Sequence, residues 1–125
     1  MNPLRAVAYY LRYLESMTDK GRTVYVYSDD QTQTVAVVTF FLLASMDAVH
    51  WLHERPMWEV VEDDDHGTIC YIDKLVALTW TPSIRRQIEA TITTQYPQIT
   101  TAVWHRPSET ADRLIIKELR HVATV

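Results

Sequence analysis

Gly67-Thr68-Ile69-Cys70-Tyr71-Ile72-Asp73-Lys74-Leu75-Val76-Ala77-Leu78 is apolar on both of its alternating faces. In a strand, successive side chains point to opposite sides. Ile69, Tyr71, Leu75 and Ala77 therefore share one face, and Cys70, Ile72, Val76 and Leu78 the other. A strand apolar on both sides belongs inside a sheet with layers packed on both faces. Asp73 and Lys74 interrupt the pattern at its centre. Burying even a neutral polar group without a partner costs roughly 2–7 kcal/mol. The Asp73 carboxylate thus calls for compensation, by an arginine such as Arg106 or by a bulge in the strand. Thr79-Trp80-Thr81-Pro82 follows directly and reads as a helix start, with Thr81 as cap and Pro82 in the first turn. Strand, tight turn and helix in succession set backbone N–H groups where a ligand can meet them.

Downstream, Ile84, Ile88, Ile92 and Tyr96 recur at helical spacing, with Arg85, Arg86, Gln87 and Glu89 off that stripe. Pro97 ends the helix and Ile99–Trp104 reads as a strand. Strand, helix and strand over this length form a crossover unit, so the two strands are expected to be parallel and the connection right-handed. The tail has two readings. Ser108-Glu109 resembles a helix start, with Ile115, Leu119 and Val122 at helical spacing, whereas Leu114-Ile115-Ile116 suits a final strand.

Upstream, Asn2-Pro3 opens a helix in which Leu4, Val7, Ala8, Leu11 and Leu14 form an apolar stripe to about Met17. Tyr9, Tyr10 and Tyr13 widen that face, which is expected to lie in the core. Gly21 suits a left-handed cap after Asp19 and Lys20. Thr23–Tyr27 and Thr34–Leu43 are β-branched and aromatic strands joined by the polar loop 28–33, a hairpin in which Asp29 and Asp30 serve turn chemistry. Ser45–Glu54 reads as a helix stopped by Pro56, and 57–66 as an acidic connection. The sum is an α/β (α+β) mixed sheet in one domain spanning residues 1–125. Its first half is antiparallel, a parallel β-α-β crossover follows, and helices cover both faces.

Composition narrows the function classes. The chain has 125 residues, 47% hydrophobic and 22% charged, with a net charge of −4. These are the proportions of an ordinary globular protein with a real core. The acidic balance, with Glu59, Glu62, Asp63, Asp64 and Asp65 close together, argues against a nucleic-acid surface. Only Gly21 and Gly67 are glycines, which excludes a glycine-rich phosphate loop, and the single Cys70 excludes an internal disulfide and a cysteine zinc site. No run approaches the ~20 apolar residues of a membrane span. No secretory leader is read in Met1–Met17, so the cytoplasm is the expected compartment.

Four segments in this order resemble the GNAT-type N-acyltransferase fold. They are Val24-Tyr25-Val26-Tyr27-Ser28-Asp29-Asp30 with Val35-Ala36-Val37, Tyr71-Ile72-Asp73-Lys74-Leu75-Val76, the helix ending at Tyr96-Pro97, and Val103-Trp104-His105-Arg106. The likeness runs over about residues 20–120. It is nearest to the toxin-activating lysine acyltransferase branch and to small GNAT-like proteins of bacteriophages. The resemblance implies acyl transfer to an amine from a thioester donor, acyl-CoA or acyl carrier protein, in the cytoplasm of a bacterial host cell. The sequence departs from the usual pattern in two ways. Thr79-Trp80-Thr81-Pro82-Ser83 lacks the glycines of the acyl-CoA loop, as the toxin-activating branch does. No histidine precedes His50, where that branch carries a catalytic one. A catalytically silent phage accessory protein that binds a host or viral protein is the competing expectation, and a homodimer through the first helix is a third.

Asp73 and His105 are the candidate catalytic residues, each a base for the acceptor amine. Trp80, Thr81, Ser83, Arg85, Arg86 and Arg106 are the candidates for holding the donor. Arg85 and Arg86 would meet phosphate by charge at a helix start, and Trp80 and Trp104 would line an acyl or pantetheine channel. Each has a plainer reading: a satisfied structural aspartate, a strand-end histidine, solvated helix arginines, core or interface tryptophans. His50 and His53 with Asp63–Asp65 and His66 match no metal motif, so no metal is expected.

Overall fold

The computed structural model describes residues 3–49, 63–106 and 113–119. Helix α1 (Pro3–Asp19) leads to the hairpin β1 (Thr23–Tyr27) and β2 (Thr34–Leu43). Strand β3 (Ile69–Ala77), helix α2 (Pro82–Gln95), strand β4 (Thr101–Arg106) and strand β5 (Arg113–Glu118) follow. The five strands form one sheet in sequence order. The β1–β2, β2–β3 and β4–β5 pairs are antiparallel, and β3 pairs parallel with β4. The fold is α+β, with a mixed sheet and helices packed around it. Of the two readings of the tail, the strand is the one formed, because 114–116 completes the sheet beside β4. The helix expected from Ser45 begins at 46–49, with the Ser45 Oγ accepting from the Ala48 N–H at 3.3 Å. The rest of that expectation lies outside the described residues.

Alternation along β2 assigns the two faces. Ala36, Val38, Phe40 and Leu42 meet Ile84, Ile88 and Ile92 of α2, together with Val24, Val26 and Cys70. Phe41 and Leu43 point the other way, onto Met17 of α1, Ile69, Tyr71 and Val103. Each fully buried Ile or Phe is worth about 1.5–3 kcal/mol. Helix α2 starts as its sequence requires, with Thr81 Oγ1 accepting from the Ile84 N–H at 3.2 Å. Gly67 lets β3 begin against β2, since a Cβ there would lie 2.7 Å from the Leu43 nitrogen. Gly21, at φ +74°, takes the left-handed conformation expected of the cap.

Two expectations about burial are corrected. The Leu4, Val7 and Leu11 stripe of α1 is exposed, at 79%, 56% and 57%. The helix meets the sheet only through its carboxyl half, where Met17 is buried and Tyr13 half-buried. The face assignment of β3 holds only as far as Ile72. Thr39 pairs with Lys74 and Phe40 with Ile72, so Asp73 is the extra residue of a bulge. One added residue reverses every later side chain. Ala77 therefore packs with the Cys70 and Ile72 cluster, while Val76 and Leu78 are exposed.

The amino ends of β3 and β4 are clamped by a residue the sequence reading passed over. Arg22 is 1% exposed. Its Nε donates to Asp63 at 3.1 Å, its Nη2 to Asp65 and its Nη1 to the Tyr96 hydroxyl at 2.6 Å, and the guanidinium sits 4.9 Å over the Tyr96 ring. Asp63 also accepts from the Leu42 N–H at 2.7 Å. The end of the acidic connection, at Asp63, is thus partly turned inward. These carboxylates raise the guanidinium pKa despite the opposing effect of burial. Removing one side of a buried pair costs roughly 3–5 kcal/mol. In urea unfolding, Arg22→Met is expected to lose stability on that scale. Asp65→Asn is expected to lose less than about 1 kcal/mol, since its carboxylate is 82% exposed.

Candidate functional site

Strands β3 and β4 are partners over only four residue pairs, Ile69 with Thr101 through Ile72 with Trp104. Beyond that point β3 continues to Ala77 along β2, and β4 continues to Arg106 along β5. The bulge at Asp73 falls where the two part. A cavity of about 400 Å³ opens there between the sheet and α2. Its walls are mostly apolar, with Ile72, Leu75, Ile88, Ile92 and Trp104 among them, and Trp80 and Arg85 stand on it as well. The site lies at the carboxyl ends of the parallel strands, the edge at which open α/β sheets hold ligands.

Asp73 lines the parting point, and its partner is a tyrosine from the other side of the sheet. The Tyr13 hydroxyl of α1 donates to Asp73 Oδ2 and lies 2.9 Å from Thr39 Oγ1. A phenol has one proton to give. With that proton directed at Asp73, Thr39 is the donor of the second bond. Burial first, and then the Asp73 carboxylate, hold the Tyr13 pKa far above its ordinary value, so the phenol stays protonated. Burial and the Asp73 charge raise Tyr71 as well. The compensation sought in the sequence is therefore a bulge and a tyrosine. The side chain of Arg106, the alternative partner, lies outside what the structure describes. The signal was present, since Tyr13 shares a helix face with Tyr10 and Met17, but helical spacing cannot say which strand residue lies beneath.

The remaining candidates separate. His105 follows Trp104 on β4 and also lines the cavity. Trp80 lies at the mouth, 52% exposed. Thr81 is spent on capping α2, and Ser83 accepts from the Gln87 side chain at 3.4 Å. Arg86 is exposed and is not among the residues on the cavity wall. Arg106 ends β4, paired with Arg113 of β5. Arg85 is on the wall but bound to Glu89 at 3.3 Å, and Lys117 of β5 reaches the same carboxylate at 2.9 Å. Burial pushes the Glu89 pKa up, but the bonds from Lys117 and Arg85 outweigh it and leave it lowered. His50 and His53, Trp51 and Trp58 lie outside the described residues. Among the described residues, no three His, Cys, Asp or Glu side chains are grouped to hold a metal, and no helix is long and apolar enough to cross a membrane.

No protein-family model, no curated protein and no solved structure matches this chain.

Cys70 sits on the cavity wall, 1% exposed, and burial pushes its thiol from 9.0 up to about 12. The unfolded chain gives up that proton near pH 9 and the folded chain near 12. Across this window the unfolded state binds fewer protons, so stability is present below it and falls as pH rises through it. Tyr13 acts in the same direction above pH 10.0. Denaturant unfolding is expected to show this alkaline loss, and Cys70→Val, which keeps the packing without the thiol, is expected to be less pH-sensitive there.

Proposed function

We propose that the parting of β3 and β4 is the reaction site of a GNAT-like acyltransferase. It moves an acyl group from a thioester donor, acyl-CoA or acyl carrier protein, to an amine. One observation carries this reading: the parallel strands separate after four pairs, and an apolar cavity of about 400 Å³ opens at the separation with Asp73 beside it. The resemblance of the four sequence segments to that family points to the same place.

The chemistry follows from the groups at hand. Aminolysis of a thioester needs the donor carbonyl fixed and polarised, the acceptor nitrogen brought to it, and a base for the amine proton. Backbone N–H groups of β3 beyond its last β4 partner supply the polarisation. The apolar wall holds the acyl chain and the donor's pantetheine arm, with Trp80 and Trp104 along it. Asp73, or His105 in its stead, takes the proton. Arg85 meets the donor's phosphate by exchanging its Glu89 bond for it. Turnover then needs no metal and no glycine loop. On this reading the protein works in the cytoplasm of a bacterial cell. The second reading is a catalytically silent, phage-encoded protein that grips another protein. The exposed Leu75 and Trp80 on the cavity wall, with Val76 and Leu78 also exposed along the same stretch, favour it.

Thermal unfolding with CoA, acetyl-CoA and a long-chain acyl-CoA tests the first reading. A ligand at about 100 times its Kd stabilises by about 2.7 kcal/mol, several degrees in Tm for a domain of this size. The expected result is a shift with the acylated donor that shrinks in Arg85→Ala. No shift with any of the three, together with no thiol release from an acyl carrier protein donor, would contradict acyl transfer and leave the binding reading.

A further inference from the structure

Resting on the acyl-transfer reading, we infer that Tyr13 is a positioning residue for that reaction, acting through Asp73 from the face of the sheet opposite the cavity. The bulge sets the geometry. In a regular strand Asp73 and Lys74 would point to opposite sides. The bulge makes Lys74 the partner of Thr39, whose side chain meets Tyr13 of α1, and Asp73 meets the same phenol. Asp73 and Thr39 thus converge on one hydroxyl that comes from a separate element, 60 residues from Asp73 in sequence.

Simple solvation does not require this arrangement. A carboxylate at a strand break near solvent is satisfied by water. Here it is held by a half-buried phenol that is itself held by Thr39, a residue 1% exposed. Two bonds fix the phenol, and one fixes Oδ2. On this inference the other carboxylate oxygen, Oδ1, is the one that takes the proton of an incoming amine at the β3–β4 parting. A positioned base is worth more than a mobile one, because a carboxylate free to rotate spends most of its time misaligned.

The step balances with Tyr13 as spectator. The amine nitrogen bonds to the thioester carbon as the carbon–sulfur bond breaks. The amine proton passes to Asp73 Oδ1, and the thiolate leaves and takes a proton from water. Tyr13 keeps its own proton throughout, in accord with a phenol that burial makes hard to ionise. Among the described residues, the other titratable groups near Asp73 include Tyr71 and Lys74 on β3, His105 on β4 and Tyr10 beside Tyr13 on α1.

The test is thiol release from a long-chain acyl-CoA in the presence of a lysine-containing peptide, for wild type, Tyr13→Phe, Asp73→Asn and the double variant. Phenylalanine keeps the ring packing, and a Tm within a few degrees of wild type verifies folding. The expected result is a loss of kcat of roughly tenfold or more in Tyr13→Phe, the scale of one charge-assisted hydrogen bond. The KM for the donor is expected to stay unchanged, because the cavity on the far face is untouched. In the Asp73→Asn background the same substitution is expected to add nothing. An active wild type with an unimpaired Tyr13→Phe overturns the role of Tyr13 alone, as does an equal loss in both backgrounds. A wild type that releases no thiol overturns the acyl-transfer reading and this inference with it.

Discussion

A carboxylate in the middle of a sheet strand must be satisfied, and the way this chain satisfies Asp73 organises the structure around it. The bulge gives β3 one residue more than β2 can pair. That residue is Asp73, and it takes its bond from Tyr13 of α1. The same extra residue turns the later part of β3 over, so that Leu75 and Ala77 come to the α2 side. It also stands where β3 and β4 stop pairing. One interaction thereby ties α1 to the sheet, resets the faces of its central strand and marks the opening of the cavity.

The two ends of the parallel pair are built differently. At the amino ends, the buried Arg22 gathers Asp63, Asp65 and Tyr96 into a cluster that joins the β1 entry, the approach to β3 and the end of α2. At the carboxyl ends the strands separate, and the space is walled by apolar side chains of α2 and the sheet. Glu89, reached by Lys117 at 2.9 Å, links α2 to β5 along that wall. The scaffold is thus fixed at one end of the parallel pair and open at the other, the setting the proposed donor site requires.

Much of the architecture was legible in the sequence because it rests on local rules. The helix opened by Pro3, the cap at Thr81, the isoleucine spacing of α2, the β-branched runs of β1 and β2 and the strand–helix–strand crossover each obey a short-range constraint. What was not legible depends on contacts between distant segments. Leu4, Val7 and Leu11 have the spacing of a core face, but spacing cannot reveal that α1 meets the sheet only near Met17. Arg22 shows no pattern at all, since its partners lie 41 and 43 residues away. Of the site, Asp73 was marked by its cost in a strand, and Trp80 and Arg85 by their place after it. Thr81 and Ser83 were marked by the same placement, yet their hydroxyls are occupied within α2. Tyr13 was read as core because its apolar ring, not its hydroxyl, sets its periodicity.

In the proposed reaction the β3–β4 parting holds the acylated end of a thioester donor. The indole N–H signals of Trp80 and Trp104 in a ¹H–¹⁵N correlation spectrum, assigned with single Trp→Phe variants, report on that place directly. Titration with a long-chain acyl-CoA is expected to move both, because both indoles stand on the cavity wall. Signals that stay fixed while other resonances shift would put the donor elsewhere and contradict the account.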